Sequence, residues 1–155
     1  MTVWIGVDPG LRSGAVAAID HNGQFIGACD IETQGDRIHA NSLRSRLLEF
    51  IPVGDIARVA IENVHSMPGQ GIVSTGRFLR ATGAIEAICE LVCGSATYVD
   101  PRTWKRDMGL SKDKQASLDM ARELWPEARQ NFYLQKSHNK AEAALLSEWL
   151  RRKME

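Results

Sequence analysis

Apolar residues open the chain in two short runs separated by polar and turn-forming residues. Val3, Trp4, Ile5 and Val7 end at Asp8-Pro9-Gly10, and Ala15 to Ile19 ends at Asp20-His21-Asn22-Gly23. This pattern predicts a β-hairpin, and a third run, Phe25 to Ile31, extends it beyond the Asn22-Gly23 turn into a three-stranded antiparallel meander. The period then changes: Leu43, Leu47, Leu48 and Ile51 recur at helical spacing from about Ala40, until Pro52-Val53-Gly54 closes the segment. Arg58-Val59-Ala60-Ile61 reads as a short buried strand ending in Glu62, with a loop from Asn63 to Gly71 after it. Between about Ser74 and Val92, Phe78, Leu79, Ile85, Ile88 and Leu91 form the apolar stripe of a long helix, interrupted by Gly76, Ala81, Gly83, Ala84 and Ala87. A glycine inside a helix costs roughly 1 kcal/mol relative to alanine, so Gly76 and Gly83 imply close backbone packing, against the sheet or a second subunit. Ala96 to Val99 is a further strand pattern ending in an acid, Asp100; Ser111 to Leu124 and about Lys140 to Arg152 read as two more helices.

Three strands followed by helices alternating with strands indicate an α/β domain, a mixed sheet covered by helices. The 155 residues, 44% apolar and 25% charged, have the size and mixture of one globular domain, and no repeat, low-complexity tract or linker divides residues 1–155. No apolar run approaches the roughly 18 residues needed to cross a bilayer, and the N-terminus lacks the basic flank and apolar stretch of a secretory signal. The expectation is a soluble, cytoplasmic protein without membrane partners. The three cysteines agree, since Cys29 is isolated and Cys89 and Cys93 read as small buried thiols on one helix face. The formal net charge is zero, but residues 1–101 carry 7 Lys/Arg against 11 Asp/Glu and residues 102–155 carry 12 against 8. The zero sum therefore does not exclude a polyanionic partner.

Acids recur where apolar strands end, at Asp8, Glu62 and Asp100, and again at Glu142 on the last predicted helix. A single acid at such a place is ordinarily a solvated group or a helix cap. Asp8 and Glu62 differ because each emerges directly from a buried run, so their carboxylates leave the core at strand ends. Carboxylates gathered without basic partners repel, and a shared hard cation is the usual remedy. Magnesium held by two or three carboxylates is also what phosphodiester hydrolysis requires, with one ion activating water and a second, about 3.5 to 4 Å away, stabilising the leaving oxygen. Composition and spacing permit such a site without establishing it.

Gly6-Val7-Asp8-Pro9-Gly10 with Ser13-Gly14-Ala15, Ala60-Ile61-Glu62-Asn63 with Met67-Pro68-Gly69-Gln70-Gly71, and Lys140-Ala141-Glu142-Ala143-Ala144-Leu145-Leu146 resemble, in order and spacing, the motifs of RuvC-type Holliday-junction resolvases. The likeness is greatest to the small versions from bacteriophages and prophages, and it runs from Ile5 to Leu150. It implies a ribonuclease H-like three-layer fold with a mixed five-stranded sheet. It also implies a magnesium-dependent endonuclease, with manganese as substitute and two ions per site, cutting four-way and other branched DNA in a bacterial or phage-infected cell. Asp8 would be the bridging carboxylate, Glu62 the second ligand and Glu142 the third. The family's Asp or His one helical turn before the last acid is represented here by His138 or Asn139, both of which share a helix face with Glu142. Neutral His can ligate or take a proton; Asn offers only a carbonyl oxygen.

The same resemblance points to DNA contacts. Lys105, Arg106, Lys112 and Lys114 form a basic cluster that is either a solvated face or a track for phosphates, and Arg77 and Lys140 join the candidate DNA-binding residues. Met67, Gln70 and Gly71 resemble the segment placed near the strand exchange point, where an apolar side chain can support unstacked bases, although a loop Met also serves simple packing. Paired cuts in a two-fold symmetric junction require two sites related by a two-fold axis, so a homodimer is implied, with the helix from Ser74 to Val92 as candidate interface. No small-molecule cofactor is expected. The four tryptophans, Trp4, Trp104, Trp125 and Trp149, are expected in the core. Alternatives are a branched-DNA-binding protein of the same fold with little nuclease activity, suggested by Asn139, and a YqgF-type RNA nuclease, which the Met67–Gly71 and Lys140–Glu142 segments fit less well. The chain is too short for a two-lobed ATPase built on a similar phosphate loop.

Overall fold

The computed structural model describes residues 1–65 and 67–155; Ser66, in the expected Asn63–Gly71 loop, lies outside the described residues. The strands are β1 (Thr2–Asp8), β2 (Ala15–Ile19), β3 (Phe25–Asp30), β4 (Thr33–Gln34), β5 (Arg37–Ile38), β6 (Ile56–Glu62) and β7 (Ala96–Val99). The helices are α1 (Ala40–Phe50), α2 (Ile72–Cys93), α3 (Pro101–Asp107), α4 (Lys114–Leu124) and α5 (His138–Met154). Five strands form one mixed sheet in the order β3-β2-β1-β6-β7, antiparallel through the meander that the sequence pattern predicts and parallel from β1 to β7.

Strand alternation sorts the core into two layers. Val3, Ile5 and Val7 of β1, with Val59 and Ile61 of β6, face α1 and α2 through Leu43, Leu47, Ala81 and Ile85. Trp4, Ala15, Ala17, Ile19 and Ala60 face the other way, against α3, α4 and α5. On that second face the middle of the sheet carries little but Gly6, Ala15, Ala17 and Ala60, and this lets α5 settle directly on the strands. A Cβ built on Gly6 would lie 1.9 Å from the carbonyl oxygen of Ala143 and 2.7 Å from the backbone nitrogen of Ser147. Asp8 and Glu62 share the strand parity of Gly6 and Ala60, so both acids end their strands on the α5 side.

Several features depart from the sequence reading. The short β4–β5 hairpin, turning at Gly35 with φ +64°, was not legible in its two-residue strands. Helix α3 begins directly after Asp100 with Pro101 in its first turn, and its seven residues are too few to show a period. Helix α4 starts at Lys114 rather than Ser111 because the Asp113 carboxylate accepts from the Gln115 backbone N–H at 3.0 Å and caps it there. Between α4 and α5 the chain makes 3₁₀ turns at Pro126–Phe132 and Gln135–Ser137. Gly76 and Gly83 do not pack on the sheet: a Cβ on either meets nothing within 4 Å. Cys89 is buried, whereas Cys93 is only partly so. All four tryptophans are buried, as expected. Among the described residues no helix is long and apolar enough to cross a membrane.

The contact at Gly6 yields a direct test. Gly6→Ala forces β1 and α5 apart along their backbones and should lower unfolding free energy by about 3 kcal/mol, the upper end of ordinary overpacking costs. A urea midpoint unchanged from that of the parent chain would contradict the close approach.

Candidate active site

Three acids meet where β1, β6 and α5 converge. Asp8 and Glu62 are the last residues of two adjacent parallel strands, whose final paired residues are Val7 and Ile61. Glu142 lies one turn into α5, next to the Ala143 carbonyl that rests on Gly6. Glu62 and Glu142 are both buried, and Asp8 is half-buried.

Helix α3 supplies a partner to each glutamate from consecutive residues. Trp104 Nε1 donates to Glu62 Oε2 at 2.7 Å, and Lys105 Nζ donates to Glu142 Oε1 at 2.7 Å. Ser117 of α4, fully buried, donates to the same Glu142 oxygen at 3.3 Å. Asp8, Glu62 Oε1 and Glu142 Oε2 accept no side-chain hydrogen bond among the described residues. Burial, then the charges of Glu62 and Glu142, push the Asp8 carboxyl well above its ordinary range, against the pull of Lys105 and Lys114. Burial likewise raises Glu62, with the Trp104 hydrogen bond opposing it, Glu142 adding to it and Lys105 opposing it. The cluster is thus short of positive charge, and its unengaged atoms are hard oxygen donors, which suit magnesium or manganese. Among the described residues no three His, Cys, Asp or Glu side chains already stand as a ligand group for an ion.

The two candidates one turn before Glu142 differ in what they touch. Asn139 Nδ2 donates to the backbone oxygen of Ser13, tying α5 to the loop between β1 and β2. That amide is engaged in a structural bond, and Oδ1 is the atom left to face a cation. His138 Nδ1 lies 3.3 Å from the Gln135 carbonyl oxygen. A carbonyl only accepts, so Nδ1 is the donor in this contact, and Nε2 is the nitrogen left to ligate or accept a proton in the neutral ring.

A cleft of about 940 Å³ is lined by His65, Asp100, Arg102, Lys105, Arg106 and Lys112 among others; Asp8, Glu62 and Glu142 do not line it, and Lys105 is what connects it to them. Of the expected basic cluster, Arg106 and Lys112 are on its wall, and Lys114 lies close enough to act on Asp8. Lys105 bridges the two places, lining the cleft while its ammonium turns inward to Glu142. Arg77 and Lys140 stand elsewhere, 3.5 Å from Asp36 and 3.7 Å from Asp30. Met67 is 72% exposed, with Gln70 and Gly71 also exposed, so Met67 is not a packing residue within this chain. Sequence reading missed the polar roles of Trp104 and Ser117. Trp104 follows the strand-end acid Asp100 within one turn, a signal visible only once α3 is known to return toward Glu62.

Known proteins bear on this geometry. No protein-family model matches the sequence. Over 104 residues the chain is 31% identical to "Holliday junction resolvase MOC1, chloroplastic" of Chlamydomonas reinhardtii. That stretch is 63% of this chain, and the chain spans only 12% of that relative's length. Among solved structures, Thermus thermophilus RuvC in complex with Holliday junction substrate superposes with a TM-score of 0.69 at 15% identity, over 99% of this chain and 96% of the other. A second Thermus thermophilus RuvC structure gives 0.65 at 16% identity, over 98% and 96%. The chain therefore has the fold of RuvC, a ribonuclease H-like mixed five-stranded sheet between layers of helices.

Proposed function

We propose that this protein is a divalent-metal-dependent endonuclease that resolves Holliday junctions and related branched DNA. The observation that carries this reading is the convergence of Asp8, Glu62 and Glu142, undercompensated in charge, with Lys105 linking Glu142 to a cleft walled by Arg102, Arg106 and Lys112. The RuvC fold and the sequence relative named as a junction resolvase support it. Asp8, Glu62 and Glu142 would hold Mg2+ or Mn2+, two ions per site, with His138 or Asn139 as the additional donor. When bound, such ions polarise the scissile phosphate and lower the pKa of the attacking water.

The chain's own residues do the rest. Trp104 fixes the carboxylate plane of Glu62, leaving one oxygen for the ligand. The cleft cations attract the phosphate backbone and set its register, a contribution that falls with salt. His138 in its neutral form can take a proton at Nε2. Met67, exposed like Ile72 and Val73 at the start of α2, offers an apolar side chain to unstacked bases near the exchange point.

A homodimer completes this reading. Ile72, Gly76, Leu79, Gly83 and Ala87 follow one another along one face of α2, all exposed. Nothing in the chain requires glycine there, and bare positions at this spacing let a second helix approach closely. A second reading, a junction-binding protein with weak nuclease activity, draws on the engagement of the Asn139 amide with Ser13, which leaves no carboxylate at that position.

Three outcomes are expected. Asp8→Asn and Glu62→Gln each lower cleavage of a synthetic four-way junction in Mg2+ on the order of 1000-fold, several kcal/mol of lost transition-state stabilisation, while gel-shift affinity in Ca2+ changes little. Cutting at the parent rate by both variants rejects the site, and junction binding without cutting by the parent chain favours the second reading. The folded-state pKa of Asp8 is raised, so its ionised form opposes folding and this cost appears as pH rises through the raised value. Asp8→Asn should accordingly melt a few degrees higher than the parent in chelator at about pH 7, where 1 kcal/mol is roughly 2–4 °C. The gap should close below the ordinary carboxyl value of 3.8, and Mg2+ should raise the parent's melting temperature more than the variant's. Light scattering should give the mass of two chains, and Gly83→Arg that of one with loss of paired nicking; a monomeric parent that still cuts both strands would exclude the α2 interface.

A further inference from the structure

Lys105 lines the cleft, but its charge is turned away from it, toward Glu142. Its side chain is 17% exposed, and its ammonium, 5.5 Å from the centre of the Trp104 ring, donates at 2.7 Å to a Glu142 side chain that is 10% exposed. Its charge also acts on Asp8 and Glu62. A compact monovalent cation therefore sits within the field of all three acids, on the residue next to the one that holds Glu62. Two cations cannot share Glu142 at this distance without strong repulsion, because the pair is largely removed from solvent screening.

We propose that Lys105 is a resident counter-cation: it holds Glu142 in place while the cluster lacks metal, and it must leave Glu142 when a divalent ion binds. This inference rests on the metal-site reading given above. Lys105 also lines the cleft, so an ammonium released from Glu142 has the cleft wall beside it, where a phosphate would lie. Metal loading and exposure of a phosphate-binding charge then become one event. The flexible four-carbon stem of lysine suits such a move, and the planar, forked arginine head suits it less.

The test uses the full chain stripped with chelator and titrated with Mn2+ alone in a calorimeter. Lys105→Gln keeps a donor for Glu142 but removes the charge, and it should bind Mn2+ at least about tenfold more tightly, the equivalent of 1.4 kcal/mol of relieved repulsion. Its metal-free melting temperature should fall. Lys105→Arg keeps the charge and should show no gain in affinity. In the unmodified chain, an amine-reactive ester should label Lys105 slowly in chelator and several-fold faster in Mn2+, read by peptide mass spectrometry; this arm does not depend on any variant folding. Mn2+ binding by the parent with no gain in Lys105→Gln, or with labelling of Lys105 unchanged or slowed by Mn2+, would overturn the counter-cation role and leave the metal site standing. Absence of Mn2+ binding by the folded parent and by both variants would overturn the metal-site reading itself, and this inference with it.

Discussion

The backbone of α5 rests on Gly6 at a distance no side chain could share. That contact brings a helix to the middle of a sheet at the point where β1 is about to end in Asp8. Because Ala143 is the residue over Gly6, the preceding residue, Glu142, is carried to the same edge of the sheet. The parallel pairing of β1 with β6 brings Glu62 alongside. Close packing on small residues thus does more than fill a core: it sets the separation of three carboxylates that come from three distant parts of the chain. Interiors transmit such constraints because they are packed as densely as crystals.

The electrostatic result runs against stability. Burial and the neighbouring carboxylates raise the proton affinity of Asp8 and Glu62, against the Trp104 hydrogen bond to Glu62 and the charges of Lys105 and Lys114. Buried polar groups are ordinarily fully paired, so a cluster left short of partners is where function is to be sought. Helix α3 is central to the local balance, since adjacent residues of one short helix serve two different acids. Under the proposed function, the same helix also carries the wall of the cleft toward DNA, coupling the state of the acids to the surface that the substrate would meet.

The meander, the β6 strand, the long α2 helix and the last helix could all be read from periodicity, since each is long enough for a pattern of 2.0 or 3.6 to repeat. The β4–β5 hairpin, α3 and the 3₁₀ turns could not, because two-residue strands and helical segments of at most seven residues are too short to repeat their own period. The glycines of α2 show the limit of composition. Their spacing signalled close packing, yet only the fold shows that the face is turned away from the chain's own sheet. The candidate site was legible in the same uneven way. Asp8, Glu62 and Glu142 stood out as acids at the ends of apolar runs and through motif resemblance, while Trp104 and Ser117 looked like ordinary core residues.

Sequence alone determined which residues are apolar, where strands end in acids, and that small residues occupy the middle strands, because these are properties of local composition and period. Tertiary structure decided that Lys105 faces inward to Glu142 rather than outward, and that Asn139 spends its amide on the Ser13 carbonyl. Both outcomes depend on partners 37 and 126 residues away. No local pattern encodes which long side chain will find a buried charge; that follows from which elements the sheet order and the Gly6 contact bring together.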